Sequence, residues 1–174
     1  IQTKKKIVIG WSGSHSTSKY LRLIKKTLIK LQKNYDFEFL VIGDEQFKIN
    51  NLKCKSIAWS QENEIKNLQK IDIGIYPLPN EKWVQGKSGL KAIQYMSLGI
   101  PTVATAIGAN FRVIENGVSG ILVHSEQEWY NAIESYILNP ELRKKHGLNA
   151  RKRAIELYSV KANKDFYLKI INNL

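Results

Sequence analysis

Six short runs of apolar, mostly β-branched or aromatic residues punctuate the first two-thirds of this chain: KIVIGW (6–11), FEFLVIG (37–43), KSIAW (55–59), DIGIYPL (72–78), PTVATA (101–106) and SGILV (119–123). Strands that are apolar at consecutive positions, instead of alternating, are buried on both faces, as in a parallel sheet covered by helices above and below. Helical patterns fill the intervals. Tyr20, Ile24, Leu28 and Leu31 recur at helical spacing across 17–33, a weaker pattern covers 61–70, and Leu90, Ile93, Met96 and Ser97 fall to one side of 87–98. The order predicts a doubly wound, Rossmann-like α/β fold. After residue 124 the strands stop. Ser125 is placed to cap a helix running to Leu138, Asn139-Pro140 ends it and starts another, and 160–173 form a last amphipathic helix. The whole of 1–174 reads as one domain with a helical tail from about residue 125, and the opening IQTKKK reads as a linker ahead of the first strand.

Bulk composition narrows the class of function. With 43% hydrophobic and 24% charged residues, the 174-residue chain is globular and long enough to bury a core. Its formal charge of +12 favours an anionic partner: a phosphate-bearing substrate, an acidic membrane surface or nucleic acid. The one cysteine, Cys54, leaves no internal disulfide. No run of about 18 apolar residues and no signal peptide is present, so the expected location is the cytoplasm, with peripheral contact at the inner face of the membrane compatible with the basic charge.

In doubly wound folds, ligands bind beyond the carboxyl ends of the strands, where helix starts supply unpaired N–H groups. Two such loops carry suitable chemistry. GSHSTSKYL (13–21) combines a glycine, small hydroxyls and Lys19 around a helix start. Gly86-Lys87-Ser88-Gly89 opens a helix on which Lys87, Lys91 and Gln94 share one face. The triplet Gly86-Lys87-Ser88 also closes the phosphate-binding loop of many ATPases, but that loop needs a glycine five positions earlier, where this chain has Glu81. Trp83 and Val84 add bulk where the backbone would have to wrap a phosphate. The two helix starts are expected to converge on a diphosphate, with a side chain at Gly89 intruding on the anion. There is no Asp-x-Asp triplet, and His15, His124 and His146 lack ligand spacing, so no metal is expected.

From Asp72 to Val123 the chain reads DIGIYPLPNEKWVQGKSGLKAIQYMSLGIPTVATAIGANFRVIENGVSGILV. With the Gly13–Leu21 loop and the Gly43-Asp44 turn, this stretch resembles the donor-binding, carboxyl-terminal half of retaining GT-B glycosyltransferases. These enzymes transfer sugars from nucleotide diphosphates in bacterial polysaccharide and glycoconjugate assembly. The resemblance spans about residues 4–160. It implies that Gly13, Ser14 and Lys19 meet the diphosphate, that Ser88, Gly89 and Leu90 lie at the distal phosphate and sugar, and that Gly43 belongs to the same donor site. Lys87 falls where a subgroup with the pattern GK-x-G-x-K places its lysine, and Lys19 and Lys87 are the implied catalytic cations. The family often carries two glutamates seven residues apart; here Gly86 and Gln94 stand at those positions. Gln94 is left to meet a ribose hydroxyl, Glu81 to approach the sugar, and Trp59 to flank the nucleobase.

The resemblance implies a metal-independent reaction without cofactor, a nucleotide-sugar donor, and a glycan or lipid-linked acceptor held by a second half. Without that half the chain is expected to be inactive. Two alternatives stay open at this point: a basic α/β module that binds nucleic acid, and a nucleotide-sugar 2-epimerase built on the same two-domain plan. The aromatics are not interleaved with basic residues as a stacking platform, which counts against the first.

Overall fold

The structure is a computed structural model that describes residues 6–173. Of the expected linker, all but Lys6 lies outside them. All six apolar runs are strands, the first shifted by one residue and the other five trimmed by one or more: β1 (Ile7–Ser12), β2 (Phe37–Ile42), β3 (Lys55–Ile57), β4 (Ile73–Tyr76), β5 (Thr102–Thr105) and β6 (Gly120–Val123). They form one sheet in the order β3-β2-β1-β4-β5-β6, with every pairing parallel. The direction of winding reverses between β1 and β4, and a crevice opens there at the carboxyl edge.

The stretch expected as one helix over 17–33 is divided. A single turn, α1 (His15–Ser18), leads into a 3-10 segment at Lys19–Ile24, and α2 (Lys25–Asn34) follows. Tyr20, Ile24, Leu28 and Leu31 are all buried, as their spacing requires. Three residues per turn in the 3-10 segment stack Leu21 over Ile24, so both reach the sheet. On that face they pack with Ile9, Trp11, Phe39 and Val41.

The opposite face carries α3 (Glu64–Leu68), α4 (Leu90–Ser97), α5 (Asn110–Val113) and α7 (Pro140–Tyr158). On α4 the expected apolar side needs correction. Ala92, Tyr95 and Met96 are buried, whereas Leu90 is 59% exposed and Ser97 also faces out. The buried arc is set by Tyr95, whose ring lies against Gly74 of β4 and whose hydroxyl accepts a 2.8 Å hydrogen bond from the Ser12 N–H. One long-range hydrogen bond thus fixes the rotation of α4 relative to the end of β1.

The tail helices match their capping signals. The Ser125 hydroxyl accepts from Glu128 N at the start of α6 (Glu126–Leu138), and the Asn139 side chain accepts from Leu142 N with Pro140 opening α7. The tail is no appendage, because Trp129, Tyr130, Ile133 and Tyr136 of α6 complete the core over α2. The last helix, α8 (Val160–Asn172), contributes no buried residue among those described.

Candidate functional site

A cleft of about 380 Å³ opens at the switch point between β1 and β4. Trp11, Gly13, Ser14 and Thr17 line it from the β1 side, Tyr76 and Leu78 from the end of β4, and Lys87, Ser88, Gly89, Leu90, Lys91 and Gln94 from the start of α4. Gly13, Ser14, Ser88, Gly89, Leu90, Gln94 and Lys87 are thereby brought together. Lys19, Gly43 and Trp59 are not in this cleft. They line a neighbouring concavity of about 630 Å³, together with His15, Arg22, Asp44 and Lys48. The loop after β1 is the wall between the two. There the Ser18 hydroxyl donates to Asp44 at 2.5 Å, and the Gly13 N–H donates to Ile42 O at 2.9 Å.

Glu81 lines neither concavity. It is exposed and accepts a hydrogen bond from the indole N–H of Trp83. Trp83 stands at the mouth of the cleft, 6.3 Å from the ring of Tyr20, with the Lys87 ammonium 4.6 Å from its ring centre.

Lys91 is the residue that sequence reasoning undervalued. The expected common face of Lys87, Lys91 and Gln94 holds only for the last two, because α4 begins at Leu90 and Lys87 precedes it in extended backbone; on an ordinary surface helix Lys91 would be solvated. Here it is half-buried, with its Nζ 4.9 Å from the ring centre of Trp11 and 5.9 Å from that of Tyr76. A Cβ built on Gly13 would come within 2.9 Å of that nitrogen, so the ammonium lies directly on the β1 loop. Burial, followed by the nearby Lys87 charge, lowers its pKa to about 8, and Glu64 opposes the shift. The two aromatic faces offset part of the cost of desolvating the cation. Among the described residues neither Lys87 nor Lys91 forms an ion pair. Two unneutralised ammonium groups lining one cleft, near enough for the Lys87 charge to act on Lys91, make a strong attractor for an anion. The sequence carried two signals for Lys91: its four-residue spacing from Lys87 and its place as the last lysine of the GK-x-G-x-K pattern.

Gly89 also needs correction. Its φ of +76° is the left-handed conformation that glycine adopts without strain, and a Cβ would meet Val113 Cγ2 of α5 at 2.9 Å. A side chain there points into the protein, not into the anion's space. Gly86 has nothing within 4 Å of a Cβ. The two glycines of this turn therefore separate cleanly. Gly89→Val is expected to cost about 2–4 kcal/mol through backbone strain and overpacking, while Gly86→Ala shifts stability by less than about 1 kcal/mol. Urea denaturation of both variants checks this; equal midpoints would refute it.

No group of three His, Cys, Asp or Glu side chains suited to a metal ion occurs among the described residues. Nor is any described helix long and apolar enough to cross a membrane.

An all-parallel sheet in this strand order, with a cationic cleft at its switch point, defines a Rossmann-like α/β domain built to receive an anionic ligand. The sequence profile of the family described as "Glycosyl transferases group 1" matches residues 2–153, and the chain belongs to that family. A D-inositol 3-phosphate glycosyltransferase from Saccharomonospora viridis is 32% identical over 85 residues, which cover 48% of this chain and 19% of that protein. The match thus spans about a fifth of the relative's length. Many solved structures share the fold, two of them as follows. Anabaena HepE, in complex with UDP and glucose, superposes with a TM-score of 0.78 at 18% identity over 97% of this chain and 49% of its own. The C-terminal domain of a group 1 glycosyl transferase from Francisella tularensis gives 0.68 at 22% identity over 88% and 87%. Family membership does not favour the nucleic-acid or epimerase alternatives.

Proposed function

We propose that this chain is the carboxyl-terminal, nucleotide-sugar-binding half of a retaining glycosyltransferase acting in bacterial polysaccharide or glycoconjugate biosynthesis. The observation that carries the reading is the pair of ammonium groups, Lys87 and Lys91, at the opening of α4, facing the glycine loop after β1 across the switch-point cleft. In this reading the diphosphate of the donor lies between that loop and the first turn of α4. As the bond between sugar and phosphate breaks, negative charge accumulates on the departing diphosphate, and preorganised cations stabilise it without rearranging. The acceptor hydroxyl, held by a second half, attacks the anomeric carbon in the orientation that closure of the two halves imposes.

Lysine charge stands where other enzymes use a metal ion, so neither metal nor cofactor is required. Lys19 reaches the diphosphate from the neighbouring concavity, Gly43 shapes the wall between the two, and Trp59 serves the nucleobase. Glu81, with Trp83, stands toward the sugar. The acceptor is a glycan or lipid-linked glycan, and the enzyme works in the cytoplasm at the inner face of the membrane.

Calorimetric titration of the chain with UDP, GDP, ADP and CDP tests this. At least one is expected to bind saturably, equally well with and without magnesium, and the chain alone is expected to transfer no sugar. Magnesium-dependent ATP or GTP turnover that disappears in Lys87→Ala would overturn the reading. So would binding confined to oligonucleotides and falling steeply with salt.

A further inference from the structure

The cleft is cationic at one end, and at the other its lining residue Gln94 is bonded to a carboxylate just behind the cleft wall. Glu64 opens α3, and its Oε1 accepts a 3.3 Å hydrogen bond from Nε2 of Gln94. Gln94 lines the cleft roughly 4.5 Å farther along α4 than Lys91, on the same face. The Glu64 charge is felt at Lys91, where it favours the ammonium. Yet Glu64 makes no ion pair with Lys91 among the described residues. A carboxylate placed only to neutralise that lysine would contact it; this one is held by a neutral amide instead.

Having given an N–H to Glu64, Gln94 keeps its amide oxygen as an acceptor, and the carboxylate keeps lone pairs beyond the one it uses. Acceptors from two helices therefore meet about one turn beyond Lys91. A ligand that fits both ends carries an anion at one end and paired hydroxyl donors at the other. A ribonucleoside diphosphate is such a ligand, because the 2′- and 3′-hydroxyls of its ribose follow closely on its phosphates.

We propose that Glu64, positioned by Gln94, accepts hydrogen bonds from the ribose hydroxyls of the donor nucleotide. A carboxylate for the ribose then comes from α3, and Gln94 of α4, expected from sequence to meet a ribose hydroxyl itself, becomes its support. This inference rests on the nucleotide-sugar reading above and adds to it a residue that discriminates ribose from other carriers of diphosphate.

The test compares the parent chain with Glu64→Gln, which keeps the shape and removes the charge. Probes are the four ribonucleoside diphosphates, their 2′,3′-dideoxy counterparts and inorganic pyrophosphate, all titrated calorimetrically. The expected result is a loss of about ten-fold in affinity for the ribonucleotide that the parent binds, as for a charge-assisted hydrogen bond. Affinity for the dideoxy counterpart and for pyrophosphate stays unchanged or tightens, since a like charge near the anion has gone. An equal loss on all three probes would assign Glu64 to the general field of the cleft and overturn the proposal. Undiminished ribonucleotide affinity in the variant would overturn it too, while leaving the donor reading intact. A parent chain that binds none of the four ribonucleotides overturns both.

Discussion

Replacing Lys91 with methionine is expected to reduce nucleoside diphosphate affinity by about 100-fold, the upper range for a charge-assisted contact to phosphate, with the fold intact. Lys91 has its ammonium against the loop after β1, and its half-buried setting lets less water screen it than at the exposed Lys19. Lys19→Ala, removing a more solvated charge from the neighbouring concavity, should cost about ten-fold. Methionine preserves the packing against Trp11 and Tyr76, so thermal denaturation should show no loss of stability. Affinity and melting temperature together decide the matter. A variant that binds as the parent does would remove Lys91 from the site, and one that unfolds would make it a structural residue.

The same lysine imposes a pH dependence whose direction follows from its environment. Burial and the Lys87 charge bring its folded pKa to about 8, below the 10.5 of an exposed lysine. Between these values the unfolded chain holds more protons than the folded one, so stability rises with pH across about 8 to 10.5. The half-buried ammonium therefore costs stability at neutral pH, where it is mostly charged. For ligand binding the sign is opposite. A diphosphate needs the ammonium, so affinity should fall as pH rises through about 8, and the inflection should vanish in Lys91→Met.

The sheet was legible in the sequence because parallel strands buried on both faces leave continuous apolar runs, and each of the six runs became a strand. Local capping chemistry likewise located the boundaries of α6 and α7. What local pattern could not reveal was rotation and reach. Leu90 looked like a core residue by spacing, but the Tyr95 hydroxyl, bonded to Ser12 at the far end of β1, turns α4 so that Leu90 faces out. The same rotation sets Lys91 over Trp11 and Tyr76, giving an apparently solvated lysine a half-buried position. Gly86 and Gly89 were equivalent as letters in a glycine-containing turn. Only the tertiary neighbour Val113 and the positive φ distinguish them. The two basic loops did meet in one cleft except for Lys19, which lines the neighbouring concavity with its ammonium 5.6 Å from the ring centre of Tyr20.

The wall between the two concavities depends on Gly43, and Gly43→Ala is expected to be among the most damaging single changes in the chain. Gly13 N donates to Ile42 O and Gly43 N to Ile57 O, both at 2.9 Å, so each glycine extends a strand ladder by one hydrogen bond. These bonds draw the loops after β1 and β2 into direct backbone contact. A Cβ on Gly43 would lie 1.9 Å from the carbonyl oxygen of Gly13, which cannot yield as the end of a flexible side chain would. The φ of +99° at Gly43 is also one that alanine adopts only under strain. Strain and overpacking together place the loss at about 2–6 kcal/mol, against a total stability of about 5–15 kcal/mol for a domain of this kind. Relief requires the β1 loop to move outward, which breaks its hydrogen bond to Ile42 and shifts Ser14 away from the start of α4. Folded Gly43→Ala protein should therefore also bind nucleoside diphosphate more weakly. Guanidinium denaturation followed by circular dichroism provides the measurement. A midpoint equal to that of the parent would mean that the two loops do not touch as described, and the partition of the site into two concavities would fall with it.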